Sequence, residues 1–417
     1  MAQGTARVRA RDTASRRTLR VSAAALSLAI LFVFVALPRI RTTHAQPLPE
    51  SQPIVDARGN LARFRAALAL ARSGGRLTRI LYLGDSAVVG DELTGALRER
   101  LQRRYGDGGH GFLPAGRPWP WYTHADVRHQ GSGWAYTSVA RPASRTDRLF
   151  GIHFLRATAT GPASALWGTA TSGPVGRNVS RFELFHLAQP GGGKLRLRVD
   201  DGAPRTLGTT AESPRAAYQS IDLPDGPHTL SLEAAGDGPV DVFGATMERV
   251  SGVVVDAIGI NGAHSIHFLQ GDTALLHEHL RHRPPALLAV QLGTNMSNGL
   301  SATRHGDRMV ALMRRLQAAA PDAACLLISP PDRARRRPDG TEGTPDYIPA
   351  VVAQTARAAR ETGCAFWSAY AAMGGEGSFV RWRAHELAGR DEAHLTRGGY
   401  ARLGRMLDQA LTGDRAE

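Results

Sequence analysis

The sequence predicts an α/β protein: a parallel sheet between helices, interrupted by an inserted all-β sandwich domain and preceded by an N-terminal membrane-anchor or signal helix. Three observations predict it. Apolar runs of strand length alternate with segments of helical period on both sides of the middle of the chain. Between Pro114 and about Val250 that alternation gives way to short period-2 runs separated by Gly, Pro, Ser and Thr. At the start, an arginine-rich segment leads into an almost uncharged apolar run. The chain therefore divides into an anchor segment at 1–45, a first α/β part at 46–112, a β insertion at 113–250 and a second α/β part at 251–417.

In the first segment, Arg7, Arg9, Arg11, Arg16, Arg17 and Arg20 precede the apolar run Val21–Leu37, closed by Pro38. Arginines on the leading side hold that side in the cytoplasm, so the chain after about Arg39 is expected to be exported. Thr43-His44-Ala45 offers a small-residue cleavage site, while Arg39 and Arg41 and its distance from the apolar run favour a retained anchor. Residues 46–55 read as a linker. Leu61, Phe64, Leu68 and Leu70 recur at roughly helical spacing and mark a short helix that ends at Ser73-Gly74-Gly75.

The strand at 79–83 then runs into Gly84-Asp85-Ser86. A serine in that bend sits at the carboxyl end of a strand and close to a helix amino terminus, where outward N–H groups favour developing negative charge. Gly-Asp-Ser by itself is also an ordinary turn. A helix follows from about Glu92, with Leu93, Leu97 and Leu101 on its buried face.

The insertion shows alternating runs at Lys194–Val199 and His228–Glu233, bounded by Asp200-Asp201-Gly202 and Pro224-Asp225-Gly226. Its aromatic residues Trp119, Trp121, Tyr122, Trp134 and Trp167 suit either a sugar-stacking surface or a core, and most are expected in the core. Beyond it, strands are predicted at Val253–Ile258, Ala286–Leu292, Ala324–Ser329 and Cys364–Trp367. Helices are predicted at Asp307–Ala320, Pro349–Thr362 and Tyr400–Leu411. Ser86, Gly262 and Asn295 each follow a predicted strand, and Asp391 and His394 lie in the loop before the last helix.

Composition sets outer bounds. A hydrophobic content of 42% excludes wholesale disorder, and the net charge of +14, almost all arginine, suits carboxylates, phosphates or an anionic polymer. Two cysteines, Cys325 and Cys364, exclude a disulfide framework and leave open a single pair or two buried thiols. His277, His279 and His282 lie on a polar helix with no carboxylate or thiolate pair, and a solvated face is expected rather than a metal site. Arg333, Arg335, Arg336 and Arg337 read as an exposed loop, with polyanion contact as the alternative.

Gly84-Asp85-Ser86, Gly262, Gly293-Thr294-Asn295 and Asp391-Glu392-Ala393-His394 occur in the order of the SGNH/GDSL hydrolases, which the chain resembles from about residue 75 onward. Gly90-Asp91, Tyr105-Gly106-Asp107-Gly108-Gly109, Arg128-His129-Gln130-Gly131 and Phe366-Trp367-Ser368 are similar to the branch containing peptidoglycan O-acetylesterases. The resemblance implies a flavodoxin-like SGNH sheet carrying an inserted carbohydrate-binding-like β domain. It also implies a catalytic set of Ser86, Asp391 and His394 and an oxyanion hole from Ser86, Gly262 and Asn295. Deacetylation of an envelope glycan, peptidoglycan first, is the expected activity. Acetyl transfer, another envelope polysaccharide or a non-catalytic glycan-binding role are the alternatives. No cofactor, metal or nucleic-acid partner is expected, and the membrane is contacted only through the N-terminal helix. One departure stands out: Ala87-Val88 follows the serine where that branch commonly has His-Thr.

The chemistry agrees with the resemblance. A serine hydroxyl is too weakly acidic to attack an ester unaided, so a neutral imidazole must take its proton. His394 is the candidate base, and Asp391, three residues earlier, can hold its tautomer and stabilise the imidazolium.

Overall fold

Runs of β-branched and leucine residues with no polar alternation form strands that are buried on both faces, and five of them make a parallel sheet. The computed structural model describes residues 48–50, 52–140, 147–297 and 300–413. The predicted anchor at 1–45 lies outside the described residues, and among those described no helix is long and apolar enough to cross a membrane.

The first α/β part holds helix α1 (Ala62–Arg72), strand β1 (Leu77–Gly84), the one-turn helix α2 (Ser86–Val89) and helix α3 (Glu92–Tyr105). Eleven antiparallel strands follow: β2 (Gly109–Leu113), β3 (Val127–Ser132), β4 (Ala135–Ser138), β5 (Leu155–Ala159), β6 (Ala163–Thr169), β7 (Val179–Ala188), β8 (Lys194–Val199), β9 (Arg205–Gly208), β10 (Arg215–Gly226), β11 (Thr229–Ala234) and β12 (Val240–Glu248). The second α/β part runs β13 (Gly252–Gly259), α4 (Thr273–His282), β14 (Leu287–Gln291), α5 (Ala302–Ala319) and β15 (Ala324–Ile328). A hairpin of β16 (Arg335–Arg336) and β17 (Glu342–Gly343) leads to α6 (Tyr347–Thr362), β18 (Ala365–Trp367), α7 (Ala369–Met373), α8 (Ser378–Ala384) and α9 (Arg397–Thr412).

The parallel sheet has the order β13-β1-β14-β15-β18. Alternate side chains of each strand face opposite layers. Ile80, Tyr82, Leu287, Ala289, Leu326 and Ile328 pack with Phe64 of α1, Leu93 and Leu97 of α3 and Leu403 of α9. Leu81, Leu83, Leu288, Val290 and Leu327 face α4 and α5, through Leu276, Leu280, Leu312 and Leu316. Each such leucine contributes about 1.5–3 kcal/mol by burial, which is why these strands tolerate no polar alternation.

The antiparallel strands form two sheets, β10-β7-β12-β5-β4 with β2 paired to β12, and β3-β6-β11-β8-β9. A core that includes Leu113, Trp167, Phe182, Leu195, Leu230 and Val242 draws on both sheets. Antiparallel pairing begins at Gly109, four residues before the boundary read from composition, because β2 pairs with β12. Phe112, Phe154, Phe185 and Phe243 of this region share the core of α4 and α5. The β region is thus fused to the sheet along one flank.

That fusion corrects one expectation. His279 does not lie on a solvated face, because α4 is packed against α5 and β10, whereas His277 is half-buried and His282 is exposed. His279 is fully buried and accepts a hydrogen bond from the Ile152 N–H, His282 stacks on Tyr218, and His277 contacts the Arg315 carbonyl. Of the five aromatic residues considered as a stacking surface, Trp119, Tyr122, Trp134 and Trp167 are buried and Trp121 is exposed. Cys325 and Cys364 form a disulfide that joins β15 to the start of β18. The helices begin earlier than periodicity implied, α5 at Ala302 after the Ser301 cap and α9 at Arg397 after the Thr396 cap, since cap residues carry no apolar signal.

Candidate active site

β1 is flanked by β13 on one side and β14 on the other, so the chain reverses its direction of sheet growth at β1 and leaves a crevice beyond its carboxyl end. Gly84 is in register with Gly259 and with Gln291, which levels the three strand ends. Ser86, Gly262 and Asn295 follow those ends within a few residues, so the topology brings them to one edge.

Ser86 opens α2 directly, a turn of helix that precedes α3, which begins at Glu92 as the sequence implied. Asp85 caps this turn, its Oδ1 accepting from the Ala87 N–H at 3.1 Å. Gly84 is required beneath it, since a Cβ there would lie 2.4 Å from Val88 Cγ2. As the first residue of α2, Ser86 has a backbone N–H without a partner inside the helix. Ala87 and Val88 are buried in the apolar layer below, so the departure from the family pattern alters packing under the serine and not the surface above it.

His394 Nε2 lies 2.9 Å from Ser86 Oγ, and His394 Nδ1 lies 2.6 Å from Asp391 Oδ2. Asp391 Oδ1 also accepts from the Ala393 and His394 N–H groups at 3.2 and 3.0 Å. Desolvation tends to raise the pKa of Asp391, but the hydrogen bonds from the His394 backbone and ring and from Ala393 outweigh it and hold the group below its ordinary value. Asp391 is therefore an acceptor in fixed geometry, which orients the ring and leaves Nε2 to face the serine. The loop is held at both ends: Gly389 donates to the His394 carbonyl at 2.8 Å, and Ala334 donates to the Glu392 carbonyl at 2.9 Å. Glu392 adopts φ +62°, a left-handed conformation uncommon for a non-glycine residue and typical of constrained functional loops.

Gly262 is exposed at φ +71°, in a turn closed by the Ala263 N–H on the Ile260 carbonyl at 3.1 Å. Asn295 Nδ2 donates to the Ala263 carbonyl at 3.0 Å, which ties the two loops together and leaves the second amide hydrogen free to donate elsewhere. All five residues singled out in the sequence lie at the ends of β1, β13 and β14 or in the loop before α9.

Sequence reasoning missed the links behind them. Asp85 is fully buried, and its Oδ2 accepts from the Thr294 N–H at 3.3 Å, bridging the serine turn and the asparagine loop. Burial pushes its carboxyl above the ordinary value, opposed by the hydrogen bonds from Ala87 and Thr294. Tyr82 donates to Gln291 Oε1 at 2.8 Å just below. Asp91, one turn beyond Ser86, forms a buried ion pair with Arg98 at 2.7 Å and accepts from the Ala125 N–H at 2.9 Å, while Thr123 donates to the Gly90 carbonyl at 2.7 Å. The β-region loop at 119–126 is thereby fastened beside the serine helix. Gly90-Asp91 was the only signal of it.

Residues 225–402 match the GDSL-like lipase/acylhydrolase family. That span holds Gly262, Asn295, Asp391 and His394 but not Ser86, which the β region separates from it. No curated protein matches the sequence. Among solved structures, a peptidoglycan O-acetylesterase is similar at a TM-score of 0.68 and 25% identity, over 84% of this chain and 95% of its own. A family two carbohydrate esterase from Cellvibrio japonicus is more distant, with a TM-score of 0.28 and 12% identity over 69% of this chain and 99% of its own. A salicylyl-acyltransferase from a tetracycline biosynthetic pathway has a TM-score of 0.32 and 13% identity over 70% of this chain and 96% of its own. A GDSL-like acylhydrolase domain over its second part and a fold shared along most of its length with a peptidoglycan O-acetylesterase support an SGNH esterase that resembles that branch.

Proposed function

We propose that the protein is an exported serine esterase that removes O-acetyl groups from an envelope glycan, peptidoglycan foremost, through Ser86, His394 and Asp391. The observation that carries this reading is the continuous path of hydrogen-bond contacts from Ser86 Oγ through the His394 ring to Asp391. In this mechanism His394 Nε2 takes the hydroxyl proton as Ser86 Oγ attacks the acetyl carbonyl. Asp391 stabilises the imidazolium through Nδ1. The tetrahedral oxyanion is received by the N–H groups of Ser86 and Gly262 and the free amide hydrogen of Asn295, each such donor lowering the barrier by about 3 kcal/mol. Collapse expels the sugar hydroxyl, protonated by His394. Water, activated by the same imidazole, then hydrolyses the acetyl-serine.

The β region is proposed to present the glycan, supported by its attachment to the serine helix through Thr123 and Ala125. Export is supported by the N-terminal arginine and apolar pattern and by the Cys325–Cys364 disulfide, a bond that persists in oxidising compartments. Retention by the N-terminal helix at the membrane belongs to the same proposal. Acetate release from purified O-acetylated peptidoglycan tests the activity: the wild-type chain is expected to release it and the Ser86→Ala chain is not. Equal release by both would end the catalytic reading.

A further inference from the structure

We propose that the arginine hairpin beside the catalytic loop is a recognition site for a mixed-charge peptide attached to the acetylated glycan, the chemistry of a peptidoglycan stem. It rests on the esterase reading above and extends it to a part of the substrate that carries no ester.

β16 and β17 pair Arg335 with Gly343 and Arg336 with Glu342, and the turn between them is closed by the Arg337 N–H on the Thr341 carbonyl at 2.7 Å. Arg335, Arg336 and Arg337 are all exposed. They line a cavity of about 760 Å³ together with Asp339, Thr344 and Asp346. A second hollow of about 320 Å³ shares Arg335 with the first and reaches Arg333, Tyr347, Ser297 and Glu392. Glu392 adjoins Asp391, and Ser297 lies two residues beyond Asn295. Arg333 Nη1 donates to the Thr294 carbonyl at 3.0 Å, so the base of the hairpin is fixed to the loops that carry the site. A substrate chain that leaves the ester position along Glu392 runs onto the hairpin.

The guanidinium groups there make no close ion pair, although Arg337 lies near enough to Asp339 to help the hydrogen bonds from Thr341 hold its carboxyl below the ordinary value. Among the described residues none of Arg335, Arg336 and Arg337 forms an ion pair, whereas Arg383 next to them is paired with Glu342. Asp339 accepts from the Thr341 N–H and hydroxyl at 2.9 and 2.6 Å, which keeps its carboxylate charged inside the same cavity. A uniformly anionic polymer would meet Asp339 and Asp346 as well as the arginines. A peptide with carboxylates and a free amine meets a partner for each, and guanidinium groups bind carboxylates in two-point geometry.

The test uses the full chain carrying Ser86→Ala, which cannot turn substrate over, with and without the triple substitution Arg335→Ala, Arg336→Ala and Arg337→Ala. Binding is measured to soluble peptidoglycan glycan fragments with the stem peptide intact, to the same fragments after amidase removal of the stem, and to polyphosphate. Stem-bearing fragments are expected to bind about tenfold more tightly than stem-free ones, with the triple substitution abolishing that preference and added salt reducing it. An unchanged preference in the triple variant would overturn the proposal, as would tighter binding of polyphosphate than of the stem-bearing fragment. Acetate release by the wild-type chain is followed separately. A chain that releases none overturns the esterase reading, and the binding ratio still judges the hairpin.

Discussion

The parallel sheet and the antiparallel region bury their polar groups in different places. Within the sheet, β13, β14 and β15 are buried along their whole length with Asp256 as their one charged residue, and the candidate site residues lie in loops beyond the strand ends. In the antiparallel region, strands such as β8 alternate buried leucines with exposed arginines, and a cluster of buried charges lies where the region meets the sheet. There Arg283 is held between Glu248 and Asp256, Glu248 also pairs with Arg79 at 2.7 Å, and Asp256 Oδ1 accepts from the Phe112 N–H at 2.8 Å. Although burial opposes its charge, Arg283 and Arg79 hold Glu248 down to about 2. The two places divide the labour: in the proposed mechanism loops at the sheet edge carry the reaction, while the seam carries fixed charges that tie the β region to the sheet.

That division can be broken by substitution, starting where the largest effect is expected. Asp391→Asn should lower kcat/KM on an acetyl ester by about 10⁴-fold through loss of the correct imidazole tautomer, with an unchanged denaturation midpoint. Asn295→Ala should cost about 10²–10³-fold in kcat, again at constant stability, by removing one oxyanion donor. Arg283→Met should do the reverse. It leaves buried Asp256 without an ion-pair partner and Glu248 with Arg79 alone, and should lower unfolding free energy by about 3–5 kcal/mol in urea titration, while the folded fraction keeps its turnover. Loss of turnover without loss of stability would place Arg283 in the site and erase the distinction.

A smaller effect concerns acid. Burial lowers His110 and His129 to about 4 and His153 to about 3, and these three lie in the β region. A histidine whose folded pKa is depressed stabilises the fold fully above its unfolded value of about 6.5, and that contribution is lost as pH falls toward the folded value. The midpoint for thermal unfolding should therefore fall progressively from pH 6.5 to 4. His153, whose ring nitrogens are buried with no hydrogen-bond partner among the described residues, offers the test: His153→Leu should flatten this slope. An unchanged slope would remove His153 from the acid response.

The sheet was legible because strands buried on both faces leave continuous apolar runs, as in Leu287–Gln291. The site was legible because its residues cluster at strand ends, where Gly84-Asp85-Ser86 and Gly293-Thr294-Asn295 interrupt those runs. The seam was not. Arg283 follows a histidine-bearing helix and reads as solvated until Glu248 and Asp256 are brought to it across the insertion, and His279 reads as polar until Phe185 and Phe243 pack around it. Periodicity reports whether a face is buried, not which distant charge meets it. The Cys325–Cys364 pairing was equally silent, because β15 and β18 become neighbours only through the sheet order.

The central claim is that Ser86 and His394 act as one unit. The most direct measurement is kcat on O-acetylated peptidoglycan for Ser86→Ala, His394→Ala and the double variant. Residues that work as a unit are non-additive, so the double variant should lose no more than either single one, about 10⁶-fold. Losses that multiply, or a Ser86→Ala chain that keeps wild-type turnover, would contradict the account.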